Sequence, residues 1–363
     1  MPSDLSDSKL ERSLSLDDIS VILESHIAPS VTAIAVEHIP SGSHAVYKVT
    51  DSRGACYILK LGAYTWPDKI ETEVATLTYV CENTRIPVPS VRGYRVGNWE
   101  TDYILMDFVE GQKLRMIWTS LSQAEQTSYV QQIASYYAEL DRTSFASIGS
   151  LRLGGVLGPL DSLDTIIGPN GRLIGTSLGP YRNLQAFWRG HLYQAIEQLA
   201  TDELLKANAY LCQDLYRWAD DWSQKAPESD YYCLFSLECL KMEDMIVRDG
   251  KIMAIVDLEN YQTNVPEFLK LHPPLHLNDE MNEIFTKECV NLGIRAWAET
   301  DEASKKRYDY CCETFLFMQQ IVPGDYNSYI RQKDYDGLER RVTEARNVLI
   351  STLNKSQNVP QSK

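Results

Sequence analysis

The segment Phe235-Ser236-Leu237-Glu238-Cys239-Leu240-Lys241-Met242-Glu243-Asp244-Met245-Ile246-Val247, followed shortly by Ile255-Val256-Asp257-Leu258-Glu259, decides how this chain is read. Two short β-like runs, 245–247 and 252–256, are joined there by Arg248-Asp249-Gly250-Lys251. An Asp-Gly turn between apolar runs predicts a hairpin, because both residues tolerate the positive φ of a tight turn. Around the hairpin the apolar spacing is helical. Residues 122–144 place Tyr129, Val130, Ile133, Ala134, Tyr137 and Leu140 at helical intervals, and further helices are expected at 183–199, 202–224, 278–299, 303–321 and 334–354. A hairpin flanked by acids inside a helical region is where chemistry is expected.

Upstream the periodicity changes. Runs 34–39, 45–50 and 56–61 each fit a strand, with Ser41-Gly42-Ser43 and Asp51-Ser52-Arg53-Gly54 as turns. A helix is expected over 68–83, where Ile70, Val74, Leu77 and Val80 recur at three- to four-residue spacing. Ile86-Pro87-Val88-Pro89 ends it, since proline has no N–H to continue the ladder. Strands are then expected at 91–95 and 103–108. The chain reads as α+β: a small antiparallel sheet with one helix at 17–107, then a larger, mainly helical part at 108–353. Residues 1–16 and 354–363 read as a loose arm and a polar tail.

In this order the landmarks resemble the aminoglycoside phosphotransferase/choline kinase family, closest to its fungal members, over about residues 30 to 330. The resemblance implies a two-lobed, protein-kinase-like fold. The turn in Ser41-Gly42-Ser43-His44-Ala45-Val46-Tyr47-Lys48-Val49 looks like the family's nucleotide-covering loop, which assigns Gly42 and Ser43 to phosphate binding. Lys60, in Tyr57-Ile58-Leu59-Lys60-Leu61, and Glu73 correspond to the lysine–glutamate pair that holds the α- and β-phosphates. A lysine amid apolar strand residues also needs a counter-charge on physical grounds if it faces inward. The stretch from Asp107 to Gly111 resembles the connection between lobes, where backbone groups of Asp107 and Val109 would read adenine. By the same resemblance the cofactors are ATP and Mg2+, and the partner is a small molecule held in the cleft between the lobes.

The opening segment matches the family's His-x-Asp-x-x-x-x-Asn loop and Asp-Trp-Glu motif, with losses. Leu237 stands where the family has His, and Cys239 where it has the catalytic Asp. Asp244 replaces the metal-binding Asn, Asp257 keeps the second metal position, and Leu258 replaces Trp. A thiol with a pKa of about 8.5 is mostly neutral at pH 7 and accepts a proton poorly. Loss of general-base assistance costs about 10²- to 10⁴-fold in rate. Glu238 and Glu243 are the nearest carboxylates to stand in. The expectation is therefore impaired phosphoryl transfer, in a protein repurposed for small-molecule binding or for chemistry such as cyclisation or dehydration. A slow ATP-dependent kinase using another base and a non-catalytic pseudokinase scaffold are the alternatives. His272-Pro273-Pro274-Leu275-His276 lacks acidic or thiol partners at ligand spacing and reads as a loop.

Composition narrows the field. With 35 Lys+Arg against 50 Asp+Glu in 363 residues the net charge is −15, which argues against a nucleic-acid partner. No apolar run approaches the roughly 20 residues that span a bilayer, so no membrane partner is expected. Met1-Pro2-Ser3-Asp4-Leu5 does not open a signal peptide, and eight cysteines without a Cys-x-x-Cys pair suit a reducing cytoplasm.

Overall fold

The computed structural model describes residues 14–41, 44–62, 69–98, 100–160, 166–167, 173–174, 178–202, 205–237, 240–274, 276–297, 301–322 and 335–357. The first element is a helix that apolar spacing did not announce, α1 (Leu16–His26). Ser15 caps it: its hydroxyl accepts from the Asp18 N–H, and the Asp18 carboxylate accepts from the Ser15 N–H in return. Only Ile19 and Leu23 of this helix are buried, so its periodic signal is thin.

The amino-terminal sheet contains β1 (Ala33–Ile39), β2 (Val46–Asp51), β3 (Cys56–Leu61), β4 (Val91–Arg95) and β5 (Tyr103–Asp107), in the order β1-β2-β3-β5-β4. Every pairing is antiparallel. Between β3 and β4 runs α2 (Lys69–Asn83), which buries Ile70, Val74, Leu77 and Val80 against β4 and β5.

Past the linker come β6 (Gln112–Lys113), α3 (Leu114–Ile117) and α4 (Gln123–Arg142), the last opened by a second capping box at Ser122 and Glu125. Several features of the second part depart from the sequence reading. Its periodicity predicts helices apart from one hairpin, yet it also holds β7 (Ser150–Arg152) with β8 (Val156–Gly158), and β9 (Ile166–Ile167) with β10 (Leu173–Ile174). Strands of two or three residues are too short to show a period. Next, the helix expected over 202–224 divides after α5 (Leu184–Thr201) into a 3-10 segment, Lys206–Leu211, and α6 (Cys212–Ser223). Last, β11 (Cys233–Ser236) pairs with a strand beyond the expected hairpin, β14 (Tyr261–Asn264).

The hairpin itself is β12 (Met245–Arg248) and β13 (Lys251–Ile255), extended by β6 on its other edge. Helices α7 (Glu267–Leu271), α8 (Asp279–Asn291), α9 (Glu302–Ile321) and α10 (Tyr335–Gln357) complete the described chain. The helix expected over 278–299 ends early, at Asn291, where Gly293 takes φ +68°. No described helix is long and apolar enough to cross a membrane.

One apolar core continues from α2 and β5 into α4, β11 and the β12–β13 hairpin, through Ile70, Leu77, Ile104, Tyr137, Phe235, Met245 and Ile255. The two parts therefore share packed surface and are not held by the linker alone. At that linker glycine is required: a Cβ on Gly111 would sit 2.6 Å from the Val247 carbonyl oxygen. The chain passes from β5 to β6 lying directly on β12.

Candidate active site

The cleft begins with a lysine that strand pairing drives inward. On β3, Lys60 is in register with Val46 of β2 and Ile104 of β5, and its side chain is only 7% exposed. Its Nζ lies 2.7 Å from Glu73 Oε2, Asp257 Oδ1 and Glu259 Oε2 alike. Glu73 is brought there by the buried face of α2. Asp257 arrives after β13 at φ +64°, a left-handed conformation that aspartate tolerates better than most residues. These three carboxylates are close enough together to hold a metal ion. In this arrangement, however, the Lys60 ammonium already fills the space between them.

Burial alone would drive the Lys60 proton off, but Glu259, Glu73 and Asp257 outweigh it and hold the ammonium well above its usual range. Glu259 is also desolvated, yet Lys60 and His44 pull its carboxyl below the ordinary range. Glu73 goes the other way: burial raises it, Lys60 opposes, and the charges of Asp257 and Glu259 add to the rise. Sequence reasoning missed Glu259, and it missed a further member of this box, His44. It follows the β1–β2 turn, with Nε2 at 2.8 Å from Glu259 Oε2 and Nδ1 at 2.9 Å from the Leu61 carbonyl oxygen.

Asp244 closes the 3-10 turn Met242–Asp244 in front of β12. Its carbonyl oxygen accepts from the Val256 N–H at 2.8 Å, which sets Asp257 beside it. Burial first, and the Asp257 charge second, push the Asp244 carboxyl up to about 7. These two carboxylates form an anionic pair that a cation would relieve, and their hard oxygens suit magnesium.

A cavity of about 720 Å³ opens from these charges. Its apolar walls are Ile39, Val46 and Ile58 from the sheet, Met106 at the back, and Ile246 and Val256 from the hairpin. Asp107, Phe108 and Val109 line its linker side. The Asp107 carboxylate is engaged by Arg92, with both contacts at 2.6 Å, so what this stretch offers a ligand is backbone. The N–H groups of Asp107 and Phe108 donate to Ser90 and Cys56. Among the described residues none accepts from the Val109 N–H.

Of the other residues singled out in the sequence, Gly42, Ser43, Glu238 and Cys239 lie outside the described residues. Glu243 lines the cavity together with Lys241, and its Oε1 is 3.6 Å from His276 Nε2. His272 is half-buried, stacked on Phe268 and bonded to the Leu237 backbone, and desolvation holds its ring down at about pKa 4. A second buried lysine, Lys69, was also missed; at the start of α2 its Nζ donates to Asn260 Oδ1, just past Glu259. His44 and Glu259 both stand in the motif stretches 41–49 and 255–259, but spacing does not reveal which way a turn residue points.

A family model for the phosphotransferase enzyme family, APH, matches residues 35–267, more than half of the chain. The protein belongs to that family. Among curated relatives, "Altered inheritance of mitochondria protein 9, mitochondrial" is 31% identical over 133 residues in Meyerozyma guilliermondii, covering 34% of this chain and 22% of the relative. Its counterpart in Debaryomyces hansenii is 30% identical over 138 residues, with the same shares. The aligned part thus spans about a fifth of those relatives' length.

Among solved structures, a protein from Haemophilus somnus 129PT assigned as a fructosamine-3-kinase superposes with a TM-score of 0.55 at 14% identity, covering 90% of this chain and 96% of that one. A ternary complex of APH(2″)-IIa with streptomycin and ATP gives 0.51 at 12% identity, covering 93% and 99%. The likeness establishes the kinase-like α+β fold that the sequence led us to expect.

Proposed function

We propose that the interlobe cavity binds a magnesium nucleotide and that the protein transfers its terminal phosphoryl group to a small-molecule hydroxyl slowly. One observation carries the reading: a single cavity joins an apolar slot to Lys60, Asp244 and Asp257. The slot between Ile58, Met106, Ile246 and Val256 suits a flat base, and the Val109 N–H supplies a donor at its edge. The neighbour seen with ATP and streptomycin supports both ligand classes.

In this reading Asp244 and Asp257 hold the magnesium ion, which neutralises charge on the phosphates when bound. Lys60 keeps Glu73 and turns its ammonium from Asp257 to a phosphate oxygen. The lobes' shared core and the Gly111 contact hold the walls in place, so orientation needs little reorganisation. The proton of the acceptor hydroxyl has the weaker provision, because Cys239 stands at the position of the family's aspartate. Glu243, which lines the same cavity, takes it in this reading.

Thermal unfolding with and without Mg–ATP tests the first half. Ligand at about 100 times its Kd stabilises the fold by about 2.7 kcal/mol, which reads as a clear rise in Tm. Cys239→Asp tests the second half, with γ-phosphoryl transfer to small-molecule alcohols expected to rise about 10²- to 10⁴-fold. No rise in Tm with Mg–ATP refutes the nucleotide reading and leaves the non-phosphoryl chemistry. Binding with no gain in the aspartate variant leaves the scaffold.

A further inference from the structure

We infer that His44 is a positioning residue: it holds Glu259 so that Lys60 can let go of it. The His44 side chain is 1% exposed. A carbonyl oxygen only accepts, so the 2.9 Å contact with Leu61 puts a proton on Nδ1, and Nε2 holds the Glu259 carboxylate by carrying a second proton, so the ring acts here as the imidazolium. The Glu259 oxygen that meets Nε2 at 2.8 Å also meets Lys60 Nζ at 2.7 Å.

The three carboxylates around Lys60 have different ways of losing it. Glu73, on α2, is 1% exposed and meets the ammonium at 2.7 Å, and the nucleotide reading keeps this pair. Asp257 is 41% exposed and can turn to a cation or to water. Glu259 is 7% exposed, so without Lys60 it would become an uncompensated buried charge, a state folded proteins tolerate at high cost. His44 supplies the second partner that makes this exit possible. The groups facing Glu259 are therefore Lys60 on β3, His44 after β1, and the Lys69 ammonium 3.4 Å from its backbone oxygen. Lys69 touches the main chain and Asn260, which leaves His44 as the described partner of the carboxylate besides Lys60.

The inference rests on the nucleotide reading only for its functional consequence, and one pair of measurements separates the two. In nucleotide-free protein, the rate of Lys60 acetylation by acetic anhydride is followed by mass spectrometry. Mg–ATP affinity is measured by calorimetry on the same samples, with folding monitored by Tm. His44→Phe is expected to slow Lys60 acetylation and to weaken Mg–ATP binding about 10- to 100-fold, the scale of one hydrogen bond to a charged group. His44→Gln, whose amide can donate to the same carboxylate, recovers most of both.

In a Glu259→Gln background His44→Phe has no further effect, which a merely structural role would not produce. If His44→Phe does not fold, His44→Ala takes its place in the same cycle. Wild-type acetylation and affinity in the His44 variant, or an undiminished effect in the Glu259→Gln background, overturns the inference. If the wild type takes no Mg–ATP while acetylation follows the cycle, the nucleotide reading falls and the hold on Glu259 stands.

Discussion

Lys60→Met keeps most of the lysine stem and removes the ammonium from three carboxylates that each lie 2.7 Å away. The three are not equally affected. Asp257 is 41% exposed and can hydrate, and Glu259 retains His44 at 2.8 Å. Glu73 is 1% exposed and is the one left without a cation. Breaking a buried pair this way costs about 3–5 kcal/mol. An independent bound agrees: Glu73 can escape by taking up a proton, and protonating an ordinary glutamate at pH 7 costs about 1.36 × (7 − 4.3), or about 4 kcal/mol.

The pH dependence follows in sign. Burial raises the folded-state pKa of Glu73, and removing Lys60 raises it further. Between its unfolded and folded pKa values the native state holds a proton that the unfolded state has lost, so stability falls as pH rises through that window. At pH 5 the protonation cost shrinks to about 1 kcal/mol. Urea denaturation should show Lys60→Met destabilised by about 3–5 kcal/mol at pH 8 and much less at pH 5, with Lys60→Met/Glu73→Gln recovering most of the loss. A Lys60→Met protein within about 1 kcal/mol of wild type at pH 8, or a double variant worse than the single, would refute the reasoning.

Two further outcomes are expected. Because burial and Asp257 push the Asp244 carboxyl up to about 7, ionising it works against folding as pH climbs. Asp244→Asn should raise Tm in metal-free buffer, more at pH 8 than at pH 5, and millimolar magnesium should stabilise the wild type and narrow the gap. Gly111→Ala would place a methyl group 2.6 Å from a backbone oxygen of β12, so it should cost about 1–3 kcal/mol by denaturation.

Much of the backbone was legible because local chemistry sets it. Strands Cys56–Leu61 and Val91–Arg95 lie at the expected bounds, and Asp249-Gly250 turns the hairpin with both residues at positive φ. Helix α1 was not legible because only Ile19 and Leu23 of it are buried, and the two- and three-residue strands were not because an element that short ends before its pattern repeats. Of the site, the contributing segments and the pairing of Lys60 with Glu73 were expectations of the sequence and its family resemblance, and the other partners were not. Glu259 lies two residues past Asp257 and His44 sits beside a turn, and local spacing marks neither as part of the charge cluster around Lys60.

The linear order of residues by itself determined the strand and helix periods, the breaks at proline and glycine, and the succession of motifs that marks the family. Tertiary structure alone decided that Lys60 meets Asp257 and Glu259, 197 and 199 residues further along the chain. It also set the charge each acid carries, because that depends on how much water packing removes and which cation it brings near. Neighbours in sequence fix backbone shape over a few residues, whereas Coulomb energy depends on distance in space, which only the folded chain defines.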